Sequence, residues 1–187
     1  MTGKMIILIG PSGVGKSTFL ERAIADFPQI RDAVTCTTRD KRPGEMDGNP
    51  YFFVTRERFE ELLANGHFIE HAEVHGQLYG TPYEQLEKAW SQHFAVIMDV
   101  DVQGARTFVA KFPQALTVFI LPPNLDALRQ RLIRRHGKPP SDLEVRMKTA
   151  EEELSAAGEF QHQLINDDFE ASYGALKKLI EDYVGNR

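Results

Sequence analysis

Residues 5–18 read MIILIGPSGVGKST, an apolar run from Met5 to Ile9 that passes directly into Gly10-Pro11-Ser12-Gly13-Val14-Gly15-Lys16-Ser17-Thr18. The spacing is GxxxxGK[ST], with a strand pattern before it and a helix pattern after it, the context a phosphate-binding loop requires. Phe19, Leu20, Ala23, Ile24 and Phe27 fall on one face of that helix. Gly10, Gly13 and Gly15 let the backbone approach closely and turn successive N–H groups onto phosphate oxygens. The helix that follows adds its positive end. Pro11, Ser12, Val14 and Thr18 complete the loop, Lys16 is expected to reach the β- and γ-phosphates, and Ser17 to offer its hydroxyl to Mg²⁺. A Gly-rich turn with no ligand would need neither the lysine nor the hydroxyl. The stretch predicts a site for a nucleoside triphosphate.

At 187 residues, 42% hydrophobic and with 12 Phe, the chain has the size and apolar content of one domain. A net charge of −5 argues against bulk nucleic-acid binding, so phosphate recognition must come from local basic clusters. The single Cys36 excludes an internal disulfide and a Cys-based zinc site, and fits a reducing compartment. The apolar run at the N-terminus leads straight into the loop and does not resemble a signal peptide. No apolar stretch approaches the ~20 residues of a membrane span. A cytoplasmic protein without nucleic-acid or membrane partners is expected; monomer and homodimer stay open.

Outward from the loop, Ala33 to Thr37 and Tyr51 to Val54 read as strands, with turns at Pro43-Gly44 and Asp47-Gly48. Glu57 to Ala64 reads as a short helix with Phe59, Leu62 and Leu63 inward, and Phe68 to Val74 as a strand before a turn at Gly76. Residues 33–82 therefore look like a small β-rich lobe inserted into an α/β chain. Ala95 to Val100 and Leu116 to Leu121 are near-continuous apolar runs of the kind buried in parallel sheets. The first ends in Asp99 and Asp101, at the strand end where functional groups of such sheets gather. Gly104 to Lys111 reads as helical. Asn124 caps a helix expected to bury Leu125, Leu128 and Leu132, and Ser141 with Glu144 reads as the capping box of the next, running to about Ala157. Leu164 to Asn166 is a last short strand, and a C-terminal helix buries Leu176, Leu179, Ile180 and Val184. The expectation is a P-loop-type α/β fold: a parallel sheet core flanked by helices, a β-rich insertion and a helical lid.

The chain resembles the guanylate kinase family along essentially its whole length. The matching motifs are GPSGVGKST, TTR with a second arginine three residues on (Arg39 and Arg42), GExxGxxY at Gly44 to Tyr51, FIE at Phe68 to Glu70, YGT at Tyr79 to Thr81, DVDVQG at Asp99 to Gly104, the spacing of Arg131, Arg135 and Arg146, and INDD at Ile165 to Asp168. The resemblance implies transfer of a phosphoryl group from ATP, with Mg²⁺, to GMP. It implies a core of about 1–32, 83–125 and 148–187, a GMP-binding lobe of about 33–82 and a lid of about 126–147. It also implies Asp101 near the base, Asp99 near phosphates and metal, and Asn166 on the adenine side. Thr35 stands where the family usually has Ser, keeping the hydroxyl, and Arg134 to Pro140 departs from the family's more glycine-rich run.

The residues carry that chemistry on their own terms. A 5′-phosphate wants guanidinium forks and phenolic hydroxyls, and Arg39, Arg42, Tyr51 and Tyr79 supply them. Guanine presents N1–H and N2–H₂ side by side, which a single carboxylate accepts; Glu70, alternating with Phe68 and Ala72, is the expected reader. Thr35 and Thr81 offer hydroxyls to guanine O6. Residues 126–148 carry a net +4 in a chain of −5, favouring a phosphate-facing lid in which Arg131, Arg135 and Arg146 join Lys16 around the moving group. His67, His71 and His75 lie in a strand segment and are not expected to bind a metal. A kinase for another phosphorylated acceptor would need neither Glu70 nor GExxGxxY. A phosphopeptide-binding module derived from the same fold typically loses the loop lysine or glycines, which are kept here.

Overall fold

Strand β1 (Met5–Ile9) is buried at every position, as a run without polar alternation must be when helices cover both faces of its sheet. It pairs in parallel with β8 (Ala95–Val100) on one side and β9 (Leu116–Leu121) on the other. With β2 (Ile30–Asp32) and β10 (His162–Ile165) these form a five-stranded parallel sheet in the order β10-β9-β1-β8-β2. This computed structural model describes residues 3–74 and 76–185, apart from the side chains of Pro50, Arg135 and His136. His75 and the side chain of Arg135, expected among the lid arginines, lie outside the described residues.

The strands divide their side chains between two cores. Ile6, Leu8, Val118 and Ile120 pack against α1 (Lys16–Asp26) and α7 (Phe169–Gly185) through Phe19, Leu20, Ala23, Tyr173, Leu176 and Ile180. Ile7, Ile9, Val96, Met98 and Phe119 face α3 (Tyr83–Ser91) and α4 (Val102–Lys111) through Leu86, Ala89, Ala105 and Phe108. A second sheet runs β4-β5-β3-β7-β6, from β3 (Thr35–Thr37), β4 (Met46–Asp47), β5 (Pro50–Phe53), β6 (Phe68–Val74) and β7 (Gln77–Pro82). Helix α2 (Arg56–Ala64) covers it, with Phe59 stacked on Phe68 at 4.5 Å between centroids. Gly80 is required there, since a Cβ would sit 2.9 Å from both rings. Beyond β9, α5 (Leu125–His136) and α6 (Leu143–Ser155) pack through Leu132, Leu143 and Met147 and are tied by Arg129 to Glu144. No helix among the described residues is long and apolar enough to cross a membrane.

Several expectations need correcting. The strand expected over Ala33 to Thr37 is confined to β3, in the second sheet; β2, which the sequence reading did not place, precedes it in the core sheet, and the chain crosses between them at Ala33, whose N–H still bonds Ile97 O. Helix α3 has no counterpart in the sequence reading, although Leu86 and Ala89 follow a helical spacing. Ser141 and Glu144 form no capping box; Asp142 is the N-cap and its side chain makes no capping bond, because Glu144 is drawn to Arg129 and Asp142 to Arg146. Leu125, at the outer end of α5, is exposed rather than inward. The strict alternation of β6 also fails: its register against β7 slips between Phe68 and Glu70. Phe68 consequently packs under α2, Ile69 enters the main core and Glu70 turns to the cleft.

The small lobe depends on one compact cluster of Cys36, Phe59 and Phe68, with Phe59 fully buried. Phe59→Ala is expected to cost about 3–5 kcal/mol by urea denaturation. A loss under ~1 kcal/mol would show that the lobe is held by something other than this packing.

Candidate active site

The phosphate loop follows β1 without a break. Gly10, Gly13 and Gly15 have φ of 142°, 86° and 107°, values that favour glycine. Space reinforces that demand: a Cβ on Gly10 would lie 2.4 Å from Ile120 O and one on Gly13 2.8 Å from Leu132 Cδ2. Lys16 opens α1 and folds back over the loop, donating to Gly10 O at 2.5 Å and Pro11 O at 3.3 Å. Ser17 Oγ donates to Asp99 Oδ2 at 3.2 Å across from the end of β8. A hydroxyl and a carboxylate are hard oxygen donors, and Mg²⁺ takes few of these from protein, leaving its other positions to phosphate and water. Ser17 and Asp99 therefore fit the ion.

Asn166, just past β10, is buried and donates through Nδ2 to Val14 O at 2.8 Å. Arg131 on α5 donates to the same oxygen at 3.2 Å and to Asn166 O at 2.7 Å. Arg146 on α6 reaches the cleft while its Nε is held by Asp142 at 2.8 Å.

Across the cleft stands the second sheet. Tyr51 from β5 and Tyr79 from β7 meet edge to face at 5.9 Å. Burial, and then the charge of Asp99, raise the Tyr51 hydroxyl above its usual range, so it stays a neutral donor. Arg39 lies over the Tyr51 and Phe53 rings, and its Nη2 donates to both oxygens of Glu45 at 2.9 Å. Arg42 lines the same wall. Glu70 is 8% exposed and accepts the Thr81 hydroxyl at 2.9 Å. Thr81 is wholly buried behind it, 3.5 Å from Thr35 Oγ1. Of the two hydroxyls expected to face a base, Thr35 lines the cleft, whereas Thr81 is committed to Glu70. Asp101 lines the cleft and also caps α4, accepting from Gly104 N at 2.7 Å. The whole cleft measures about 740 Å³ and joins the phosphate loop to Glu70.

Two acidic groups escaped the sequence reading. Glu153 on α6 lines the cleft on the face that carries Arg146 and Thr149, a spacing visible in the sequence once α6 is known. Asp32 closes β2, and only the sheet order brings it near Asp99. Burial pushes Glu70 up to about 7, the Thr81 hydroxyl opposing and Asp101 adding to the rise. Burial, then Asp99, takes Asp32 to about 7; burial does the same to Glu153 against the pull of Lys16.

These shifts set a pH dependence. Between an ordinary carboxyl value of 4.5 and about 7, folded Glu70 keeps a proton that the unfolded chain has released. That contribution to stability is fully present below 4.5 and is lost as pH rises through about 7. The unfolding free energy of the free protein, measured against that of Glu70→Gln, is expected to fall by up to about 1.4 kcal/mol per pH unit in this window. A pH-independent difference between the two proteins would mean that Glu70 does not titrate there.

The guanylate kinase family model matches residues 2–183. The guanylate kinase of Bdellovibrio bacteriovorus is 50% identical over 182 residues, covering 97% of this chain and 98% of its own. That of Corynebacterium jeikeium is 41% identical over 181 residues, 96% of each chain. The crystal structure of guanylate kinase from Anaplasma phagocytophilum superposes with a TM-score of 0.78 at 31% identity, over 96% of this chain and 85% of that one. A phosphate loop facing a buried carboxylate across one cleft, with likeness of this extent along the chain, places the protein in the guanylate kinase family.

Proposed function

We propose that the cleft transfers the γ-phosphoryl group of ATP to GMP, giving ADP and GDP, with ATP on loop 10–18 and GMP against the second sheet. The observation that carries this assignment is Glu70: a buried carboxylate on the wall opposite Lys16, in the same cleft. A carboxylate in that setting needs donors, and guanine N1–H and N2–H₂ supply two. Thr81 holds one carboxylate oxygen in place, and Thr35 is left to meet guanine O6. Adenine would put an N1 lone pair against Glu70.

The phosphate of GMP is held by Arg39, Arg42, Tyr51 and Tyr79, which orient one of its oxygens toward the γ-phosphorus. Lys16 exchanges its bonds to Gly10 O and Pro11 O for phosphate oxygens and stabilises the charge that moves onto the leaving group. Ser17 and Asp99 would hold Mg²⁺, which would supply charge neutralisation at the phosphates. Asn166 and the loop backbone fix the donor nucleotide. Arg131, Arg135 and Arg146 form the lid's contribution: closure of α5 and α6 brings guanidinium groups onto the transferred group and excludes water as a competing acceptor. The buried, unpaired Cys36 agrees with work in the cytoplasm.

Two measurements test this assignment. With GMP, AMP, CMP and UMP compared in a coupled ADP assay, GMP should be strongly preferred, and Glu70→Gln should lower kcat/KM for GMP by roughly 10²-fold or more. The GMP/AMP ratio should shrink in that variant, because the amide can donate to adenine N1. An unmoved ratio would take base reading away from Glu70. For the lid, GMP together with a non-hydrolysable ATP analogue is expected to protect residues 126–148 from hydrogen exchange more than either nucleotide alone. Equal exchange in all four states would contradict closure.

A further inference from the structure

Arg39 lines the cleft, and its guanidinium is already bonded to groups of its own loop. Arg42-Pro43-Gly44-Glu45 form a turn closed by Glu45 N to Arg42 O at 3.1 Å, with φ +88° at Gly44. Proline second and a positive-φ glycine third are the requirements of a type II turn. The turn swings the Glu45 side chain back over its own loop. There the carboxylate takes Arg39 Nη2 on both oxygens at 2.9 Å and the backbone N–H of Arg42 at 2.8 Å. The two side chains are 13% and 16% exposed, and a second Arg39 nitrogen, Nη1, is fixed by Asp40 O at 2.7 Å. Glu45 itself is absent from the cleft wall, whereas Arg39 and Arg42 both line it.

We infer that Glu45 is a positioning residue for the acceptor phosphate: it locks Arg39 and the Arg42 backbone into a preformed anion fork before the substrate arrives. The inference rests on the assignment of Arg39 to the GMP phosphate. A free arginine side chain loses rotamer freedom on binding, and a group already held by ion pairing from behind does not. The guanidinium also lies over the Tyr51 and Phe53 rings, 5.4 and 5.5 Å from their centroids, while Glu45 and Asp40 O hold its two terminal nitrogens. Burial opposes the charge on Arg39, but the Glu45 carboxylate outweighs it and keeps the guanidinium firmly protonated. A carboxylate that competed for the phosphate's own place would stand on the cleft wall, and this one stands behind it.

The test is a double-mutant cycle between Glu45→Gln and Arg39→Ala, read as KM for GMP, KM for ATP and kcat, with thermal melts to establish folding. Glu45→Gln is expected to raise KM for GMP about tenfold, leaving KM for ATP within about twofold and kcat reduced by less than about threefold, since saturating GMP rebuilds the fork. Glu45→Asp, which keeps the charge but withdraws it by one methylene, should give an intermediate loss. In the Arg39→Ala background Glu45→Gln should add little, because it acts through that arginine. A KM for GMP that is unchanged or lower in Glu45→Gln, while Arg39→Ala raises it, overturns the role of Glu45 and leaves the phosphate site standing. Arg39→Ala with a normal KM for GMP overturns the site and this inference together. Fully additive effects, or equal losses for both nucleotides, would reduce Glu45 to a general support of the lobe.

Discussion

At Gly10 the backbone of the phosphate loop passes so close to β9 that a methyl group would lie 2.4 Å from the Ile120 carbonyl. The other two loop glycines are hemmed in by different parts of the chain, Gly13 by Leu132 of α5 and Gly15 by Asn166, 2.8 Å from where its Cβ would be. Three elements far apart in sequence thus close on one nine-residue loop, and each can do so only because a side chain is missing. Val14 O completes the arrangement, accepting from both Asn166 and Arg131. Helix α5 is therefore seated on the loop itself. Leu132 and Arg131 thus couple the position of α5 to the conformation of the loop.

The second organising feature is a group of carboxylates whose ionisation is opposed mainly by burial. Glu70, Asp32 and Glu153 all sit where burial opposes ionisation. Replacing such groups by apolar ones would stabilise many folds. Glu70 and Glu153 line the cleft, where a bound ligand can bring further donors to them. Arg39 shows the opposite arrangement: its charge is balanced in advance by Glu45, so its contribution lies in geometry as much as in raw attraction.

Much of this was legible from spacing. The loop, strands β1, β8 and β9 and the cap at Asn124 lie where local patterns put them, and Arg39, Arg42, Tyr51 and Tyr79 line the cleft as their motifs led one to expect. Such features are short-range: apolar periodicity, turn residues and cap chemistry act within a few residues and leave direct traces in sequence. Helix α3 was missed although its pattern is present, because Tyr83 to Ser91 follows a proline-ended strand with no side-chain cap to announce it. The Ser141–Glu144 pattern misled for a related reason. Its local pairing lost to Arg129, fifteen residues away, which no window of that length contains.

The sequence by itself determined that this is a phosphate-loop α/β protein of the guanylate kinase type and named most of the side chains in its cleft. Tertiary structure decided how they are used. A register slip in β6 turned Glu70 from the Phe68 cluster to the cleft, where it accepts the Thr81 hydroxyl. The order of strands in the core sheet brought Asp32 beside Asp99, and packing of α6 brought Glu153 toward Lys16. Each of these depends on which distant segment displaces water from a given atom. Burial, close approach and protonation are set by that exclusion, and a one-dimensional pattern does not contain it.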